Sequence, residues 1–381
     1  MPSSHLRSLH RLVARTIAAI VLAGVSLAVP LGARLAAQRA ALPPIRHVFI
    51  LVLENEGYDT TFKSPSLAPY LADTLRKAGA LLTQYHGTGH LSLDNYITMI
   101  SGMPPTRETQ LDCHTYLDFV ETGIAPDGQP IGSGCVYPAH VATIANQLDA
   151  KGLTWKGYME DMGKDWGRES STCAHPAIGS RDSTQTATPT DHYATKHNPF
   201  MYFHAVIDSA TCQRNVVPLA ELESALRTAD QTPNYSFITP SLCHDGHDRP
   251  CKNGEPGGLE SANAFLEHWV PIITNSPAFR ADGLLIVTFD ESLGIDATAC
   301  CDEPTGPNTL NAGINGPGGG RIGAVLLSPF IKPGTVSETG YNHYSMLRSI
   351  EDIFSLPHLG YAGAKGLKTF GSDVFTRPHG P

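Results

Sequence analysis

The stretch IRHVFILVLEN, Ile45 to Asn55, decides the fold. From Val48 to Leu53 it is apolar at every position, and it stops abruptly at Glu54-Asn55. Apolar residues on consecutive rather than alternate positions suit a strand covered on both faces, as in a parallel sheet. Four other short runs behave alike: Thr154–Tyr158, Tyr235–Thr239, Leu284–Phe289 and Gly323–Leu327. Helix-like stretches lie between them. Ala68–Ala78 ends before Gly79 and Ala139–Lys151 before Gly152, glycine being a common helix stop. Leu259–Thr274 and Tyr344–Phe354 also show helical spacing. This alternation predicts an α/β fold with a mostly parallel central sheet flanked by helices. Two loop-rich stretches, 103–138 and 160–233, are expected as insertions over one edge of the sheet, where a pocket would be lined.

With 381 residues the chain has room for one large domain or two ordinary ones. A hydrophobic content of 41% excludes disorder of the whole chain. Lys and Arg number 27 against 36 Asp and Glu, a net charge of −9 with no basic cluster, which argues against nucleic acid as a partner. The N-terminus carries Arg7, Arg11 and Arg15 without an acid, then an uncharged run from Thr16 to Ala33. That order reads as a secretory signal cleaved between 33 and 37; an uncleaved membrane anchor is the alternative. The expected organisation is a signal peptide 1–37, a linker 38–44, a catalytic domain 45–375 and a tail 376–381, in a secreted or periplasmic protein. Eight cysteines fit an oxidising compartment, and their spacing lacks a paired CxxC zinc pattern. Cys113–Cys135, Cys173–Cys212 and Cys243–Cys251 would each close a local loop, while the state of the adjacent Cys300 and Cys301 stays open.

In open α/β sheets the ligand site lies beyond the carboxyl ends of the strands. Those ends read Glu54-Asn55, Glu160-Asp161, CHDGHD (Cys243 to Asp248) and Asp290-Glu291. One acid after a strand is ordinary loop chemistry. Several on different strands, with histidines, suit a divalent cation. A second constellation is GHLSLDNYITMISGMP, Gly89 to Pro104, where Ser92 precedes a short apolar run from Tyr96 to Ile100. Such a serine is either a helix N-cap or a nucleophile whose phosphoryl adduct sits over free N–H groups. Its hydroxyl needs a base or a metal to react, and no GxSxG elbow surrounds it. His343, in YNHYSMLRSIED, stands at a helix start. Lys196 and His197, in TKHNPFMYF, are either surface residues or contacts to an anion. Phe200, Tyr202 and Phe203 read as core, with an apolar slot as the other reading.

In order along the chain, HVFILVLENEGYD, HLSLDNYITMISG, SFITPSLCHDGHD, LLIVTFDES and YNHYSMLRSIEDIFSLPHLGY resemble the bacterial phosphoesterase family of secreted acid phosphatases and phospholipase C enzymes. The likeness is greatest to its phosphatidylinositol-3-phosphatase-like members, and the family is related to the alkaline phosphatase superfamily. It spans roughly residues 45–375. The resemblance implies an alkaline-phosphatase-like fold and a metal-dependent acid phosphatase. That enzyme would hydrolyse phosphomonoesters, with membrane-lipid head groups among the conceivable substrates, through a phosphoserine intermediate. A phosphodiesterase or phospholipase C on the same site is the alternative. Ser92 falls on the nucleophile with Asn95 as its phosphate-binding partner, Lys196 and His197 on phosphate contacts, and Asp245 and His247 on the Asp-His region after a middle strand. In the expected mechanism His247 or His197 activates the water, and His90 is a further expected substrate contact. The metal ligands fall on Glu54, Asn55, Ser92, Asp245, Asp290, Glu291 and His343. Two-zinc relatives have Asp-His where this chain has Asp290-Glu291, and they space an Asp and a His by four where Asp245 and His247 are two apart. One essential ion on Glu54, Asn55, Ser92, Asp290 and Glu291 is therefore expected, with Asp245, His247 and His343 able to hold a second.

Overall fold

The computed structural model describes residues 42–377. The expected signal segment 1–37, most of the linker 38–44 and most of the tail 376–381 lie outside the described residues. Twelve strands are described: β1 (His47–Leu53), β2 (Ala80–Leu82), β3 (Tyr85–His86), β4 (Val120–Ile124), β5 (Pro130–Ser133), β6 (Trp155–Met159), β7 (Val216–Pro218), β8 (Tyr235–Thr239), β9 (Gly283–Phe289), β10 (Ala324–Leu327), β11 (Thr335–Ser337) and β12 (Tyr341–Asn342). Eight of them form one sheet in the order β11-β2-β10-β9-β1-β8-β6-β7. All five runs read as strands from the sequence are in it. Five of its seven pairings are parallel, and β10 alone runs against both of its neighbours.

β1 lies between β9 and β8, and every residue from Val48 to Leu53 is fully buried. Burying each such aliphatic or aromatic side chain contributes about 1.5–3 kcal/mol before conformational entropy is counted. Helices cover the sheet, among them Gly258–Thr274 and His343–Phe354, close to their expected bounds. The stretch expected as a helix over 139–151 is helical only from Ile144 to Lys151. Thr143 is extended and forms a capping box with Asn146, so the helix cannot start earlier.

The stretch 103–138 folds into the β4–β5 hairpin and its flanking loops. The stretch 160–233 does more than cover an edge, because it supplies β7, the outermost strand itself. Disulfides join Cys113 to Cys135, Cys173 to Cys212 and Cys243 to Cys251, the three local pairings expected, and the adjacent Cys300 and Cys301 are bonded to each other. No helix among the described residues is long and apolar enough to cross a membrane.

Cys113–Cys135 and Cys173–Cys212 close loops of 22 and 39 residues inside the two insertions. Replacing Cys173 and Cys212 together by Ser should cost about 3–4 kcal/mol, since the bond restricts the unfolded chain. Chemical denaturation measures this directly, and an unchanged midpoint would mean that the insertion holds itself without the tether.

Candidate active site

Leu53 pairs with Phe289 at the ends of β1 and β9, so the next residues, Glu54 and Asp290, leave the sheet side by side. The Asp290 N–H still donates to the Leu53 carbonyl (2.9 Å). Asp245 arrives from the turn after β8, where the Glu54 N–H donates to its carbonyl (2.8 Å). Gly246 makes that turn possible: its φ of +117° disfavours any side chain, and a Cβ there would lie 3.1 Å from the Glu54 carbonyl. Glu54, Asp245 and Asp290 are all buried.

His197 reaches the same place from the 160–233 insertion. Its ring stacks on Tyr96, with centroids 5.0 Å apart, and sits between two carboxylates. Nε2 lies 3.2 Å from Glu54 Oε2 and Nδ1 lies 3.6 Å from Asp245 Oδ2. Burial would raise the Glu54 carboxyl, but the His197 ring and the Lys196 ammonium hold it well below its ordinary value. Burial, and then the neighbouring Glu54 charge, push the Asp290 carboxyl well up. Burial likewise pushes Asp245 up to about 7, against the His197 ring, which draws it down.

Ser92 is the first residue of the helix Ser92–Ser101, and Leu91 occupies the capping position. The serine is buried and donates its hydroxyl to Glu54 Oε1. The capping that a serine could have supplied comes from Asp112, whose Oδ1 accepts the Leu93 N–H (3.1 Å). Asp112 Oδ2 accepts from Lys196 Nζ (2.9 Å). Burial would lower the Lys196 ammonium, but the Asp112 and Glu54 charges raise it above its ordinary value. Sequence reasoning missed Asp112, and it had no signal to use: the residue lies in a loop, beside a disulfide cysteine and far from every strand end.

Several expected site residues stand elsewhere. Asn95 turns inward: its Oδ1 accepts from the Thr88 and Gly89 N–H groups (both 2.9 Å), and its Nδ2 donates to the Gly89 and Leu91 carbonyls. It braces the loop before Ser92 rather than facing a substrate. Gly89 allows this packing, because a Cβ there would come within 2.4 Å of the Asp94 carboxyl. Glu291, expected as a metal ligand, faces His90 Nδ1, and His90 Nε2 lies 2.9 Å from the Asp296 carbonyl. Both side chains are thus engaged beside the cluster instead of in it. His343 has both ring nitrogens occupied, Nε2 by the Asp290 carbonyl (2.6 Å) and Nδ1 by the Tyr85 hydroxyl (3.1 Å), so neither is free for a metal. Burial lowers its pKa to about 4. His247 stands at the rim against Asp248 (3.1 Å), whose hydrogen bond raises it to about 9.

Asn55 donates its side-chain amide to Glu54 Oε1 (2.6 Å) and its N–H to Asp290 Oδ1 (3.0 Å), and so ties the two acids together. Glu160 does not join the cluster. It accepts the Ser241 N–H (2.8 Å) and pairs with His244 (2.9 Å), fixing the turn that leads to Asp245. His244 also lies within reach of Glu255 and Cys243, but the Cys243 sulfur is bonded to Cys251. Phe200, Met201, Tyr202 and Phe203 are fully buried, so this aromatic run is core and not a slot. Open grooves of about 630 and 410 Å³ lie elsewhere, and no residue of the cluster lines either.

Comparison with known proteins gives this arrangement its context. A sequence profile of the Phosphoesterase family matches residues 64–357. The chain is 25% identical over 315 residues to a probable acid phosphatase of Kluyveromyces lactis (83% of this chain, 59% of the relative). It is 26% identical over 330 residues to a phosphate-repressible acid phosphatase of Penicillium chrysogenum (85% and 65%). It is 25% identical over 323 residues to a phosphatidylinositol-3-phosphatase of Mycobacterium tuberculosis (85% and 81%). The chain therefore spans under two thirds of the length of the two fungal relatives. Among solved structures, Ps i-CgsB is similar in fold at a TM-score of 0.52 and 10% identity (88% of this chain, 77% of that one). A Vibrio parahaemolyticus protein of the alkaline phosphatase superfamily gives 0.48 at 12% (83% and 68%). By the extent of the sequence match, the chain belongs to the Phosphoesterase family.

Proposed function

We propose that the chain is a metal-dependent phosphomonoester hydrolase in which Ser92 carries the phosphoryl group between two half-reactions. One observation carries the reading: Ser92, at the start of a helix, gives its hydroxyl to the buried Glu54 carboxylate, while Asp112 does the capping. The names of the acid phosphatase relatives support it.

The cluster suits a divalent cation. Glu54 Oε2, Asp245 Oδ2 and Asp290 Oδ2 are buried with no hydrogen-bond donor, as are both ring nitrogens of His197. The Lys196 ammonium, whose charge acts on Glu54, is already paired with Asp112. Carboxylate oxygens and imidazole nitrogen are donors that divalent cations take. Glu54, Asp245, Asp290 and His197 would hold the ion, with Asn55 beside them. When bound, it supplies positive charge and Lewis acidity next to the Ser92 hydroxyl.

The chain's own groups account for the proton movements. Glu54 Oε1 accepts the Ser92 hydroxyl proton as Oγ forms its bond to phosphorus and the bond to the leaving oxygen breaks. His247, protonated at neutral pH beside Asp248, is the donor for that leaving oxygen. A lysine has three N–H donors and Asp112 takes one, so Lys196 keeps two for the non-bridging oxygens. In the second half, His247, now neutral, accepts a proton from the attacking water. Glu54 then returns the first proton to Ser92. The buried aromatic run offers no room for a second ester group, and this favours monoesters over the phospholipase C reading.

Ser92→Ala should lose orders of magnitude in turnover with the fold intact. A capping serine would instead cost about 1 kcal/mol of stability and leave turnover nearly whole. Turnover and thermal midpoint measured on one sample separate the two, and near-normal turnover removes the mechanism. The panel should include the phosphoinositide monoester named for the mycobacterial relative.

A matched monoester and diester should differ by at least about tenfold in kcat/KM, or about 1.4 kcal/mol in transition-state binding. Lys196→Ala should shrink that ratio by hurting the monoester more. A wild-type ratio below one would hand the site to diesters.

Cation removal has a pH signature. The folded, metal-free chain holds the Asp245 proton up to about pH 7, because burial opposes the charge. The unfolded chain releases it near pH 4, to within about a unit. Stability from this group is therefore complete below about pH 4 and falls as pH rises toward 7. Chelated wild type should lose stability relative to Asp245→Asn across that window, and a divalent cation should restore it. Parallel thermal midpoints for the two proteins from pH 4 to 7 would show that Asp245 is not held protonated.

A further inference from the structure

We infer that Tyr85 and His343 are positioning residues, a two-step relay that holds the main chain of Asp290 and so aims its carboxyl at the Glu54 cluster. The inference rests on the function proposed above.

Asp290 is the first residue beyond the β1–β9 ladder. Its N–H keeps a strand partner in the Leu53 carbonyl, but no backbone N–H among the described residues donates to its own carbonyl. A buried carbonyl without a donor is costly. His343 takes that place, with Nε2 2.6 Å from the Asp290 oxygen. A carbonyl only accepts, so Nε2 carries the proton. In the neutral ring Nδ1 is then an acceptor, and the Tyr85 hydroxyl, 3.1 Å away, is its donor. All three residues are fully buried or nearly so.

The local fold builds this arrangement. β3 and β12 pair in parallel, Tyr341 opposite Tyr85 and Asn342 opposite His86, which brings His343 edge-on to the Tyr85 ring at 5.6 Å between centroids. Asn342 caps the helix that follows, its Oδ1 accepting the Ser345 N–H (2.9 Å), and so sets the direction in which His343 departs. At the other end of the relay, Asp290 Oδ1 accepts the Asn55 N–H (3.0 Å) and the Glu291 N–H (2.6 Å). With carbonyl, amide and Oδ1 all held, Oδ2 is the one polar atom of Asp290 left for the cluster, and it is buried without a partner. Groups at one remove that orient a ligating side chain in this way typically tune metal affinity about 10–100-fold.

The test measures binding of manganous ion alone to chelated protein, together with the ring nitrogens of His343 by ¹⁵N NMR. The expected tautomer carries its proton on Nε2. Tyr85→Phe, which removes one oxygen and keeps the ring, should weaken manganese binding about tenfold or more. His343→Ala should do the same, and His343→Gln, which keeps an amide donor, should recover most of the loss. A proton on Nδ1 would overturn the relay. So would variants that lose thermal stability yet bind manganese within about twofold of wild type, since that is a purely structural role. If the wild type neither binds manganese nor hydrolyses a phosphomonoester, the proposed function fails, and the tautomer still decides the relay.

Discussion

The parallel pairing of β1 with β9 runs in register from His47 and Gly283 to Leu53 and Phe289, and it ends with two acids side by side in the interior. Two carboxylates this close cannot both ionise cheaply in a medium of low dielectric. His197 and Lys196 hold the Glu54 carboxyl down while burial and the Glu54 charge push Asp290 up, and Asn55 is bonded to both. Everything else at the centre can be understood as a response to that pair. His197 lies against Glu54, Lys196 is close enough to bias it, Ser92 donates to it, and His343 holds the backbone of its partner.

The nitrogen groups that meet these acids do not come from the sheet. Lys196 and His197 belong to the 160–233 insertion, and Asp112, which anchors Lys196 and caps the Ser92 helix, belongs to 103–138. Each insertion is tied by its own disulfide, Cys113–Cys135 or Cys173–Cys212. The two insertions also contact each other: Gln185 donates to the Asp112 carbonyl (2.8 Å), and the Asp182 N–H donates to the His114 carbonyl (3.0 Å). The scaffold supplies acids at strand ends, and the loops supply the ammonium, the imidazole and the cap that make those acids usable.

Much of this was legible in the chain. Short strand-like runs located the five longest strands of the sheet, and the acids after β1, β8 and β9 located the cluster, because strand ends are where backbone direction and side-chain chemistry are fixed together. Weaker strands were not legible. β2, β7 and β11 are three residues each, too short for a periodic signal, and they pair because their neighbours offer edges. Roles blurred wherever a polar residue could satisfy itself locally. Asn95 bonds the loop before it, Glu291 meets His90, and His343 serves a carbonyl, although each is the right residue type for the part it was expected to play.

By itself the sequence determined the α/β architecture, the acids that end its strands and the serine placed at a helix start. These depend on neighbours a few residues away, or on hydrophobicity summed along a run, and both can be read in one dimension. Only the tertiary structure decided which donor each buried polar atom would find. Glu54 meets Ser92 across 38 positions, Lys196 meets Asp112 across 84, and His343 meets Tyr85 across 258. A hydrogen bond acts over about 3 Å and is blind to separation along the chain, so no spacing in the sequence could announce those partners.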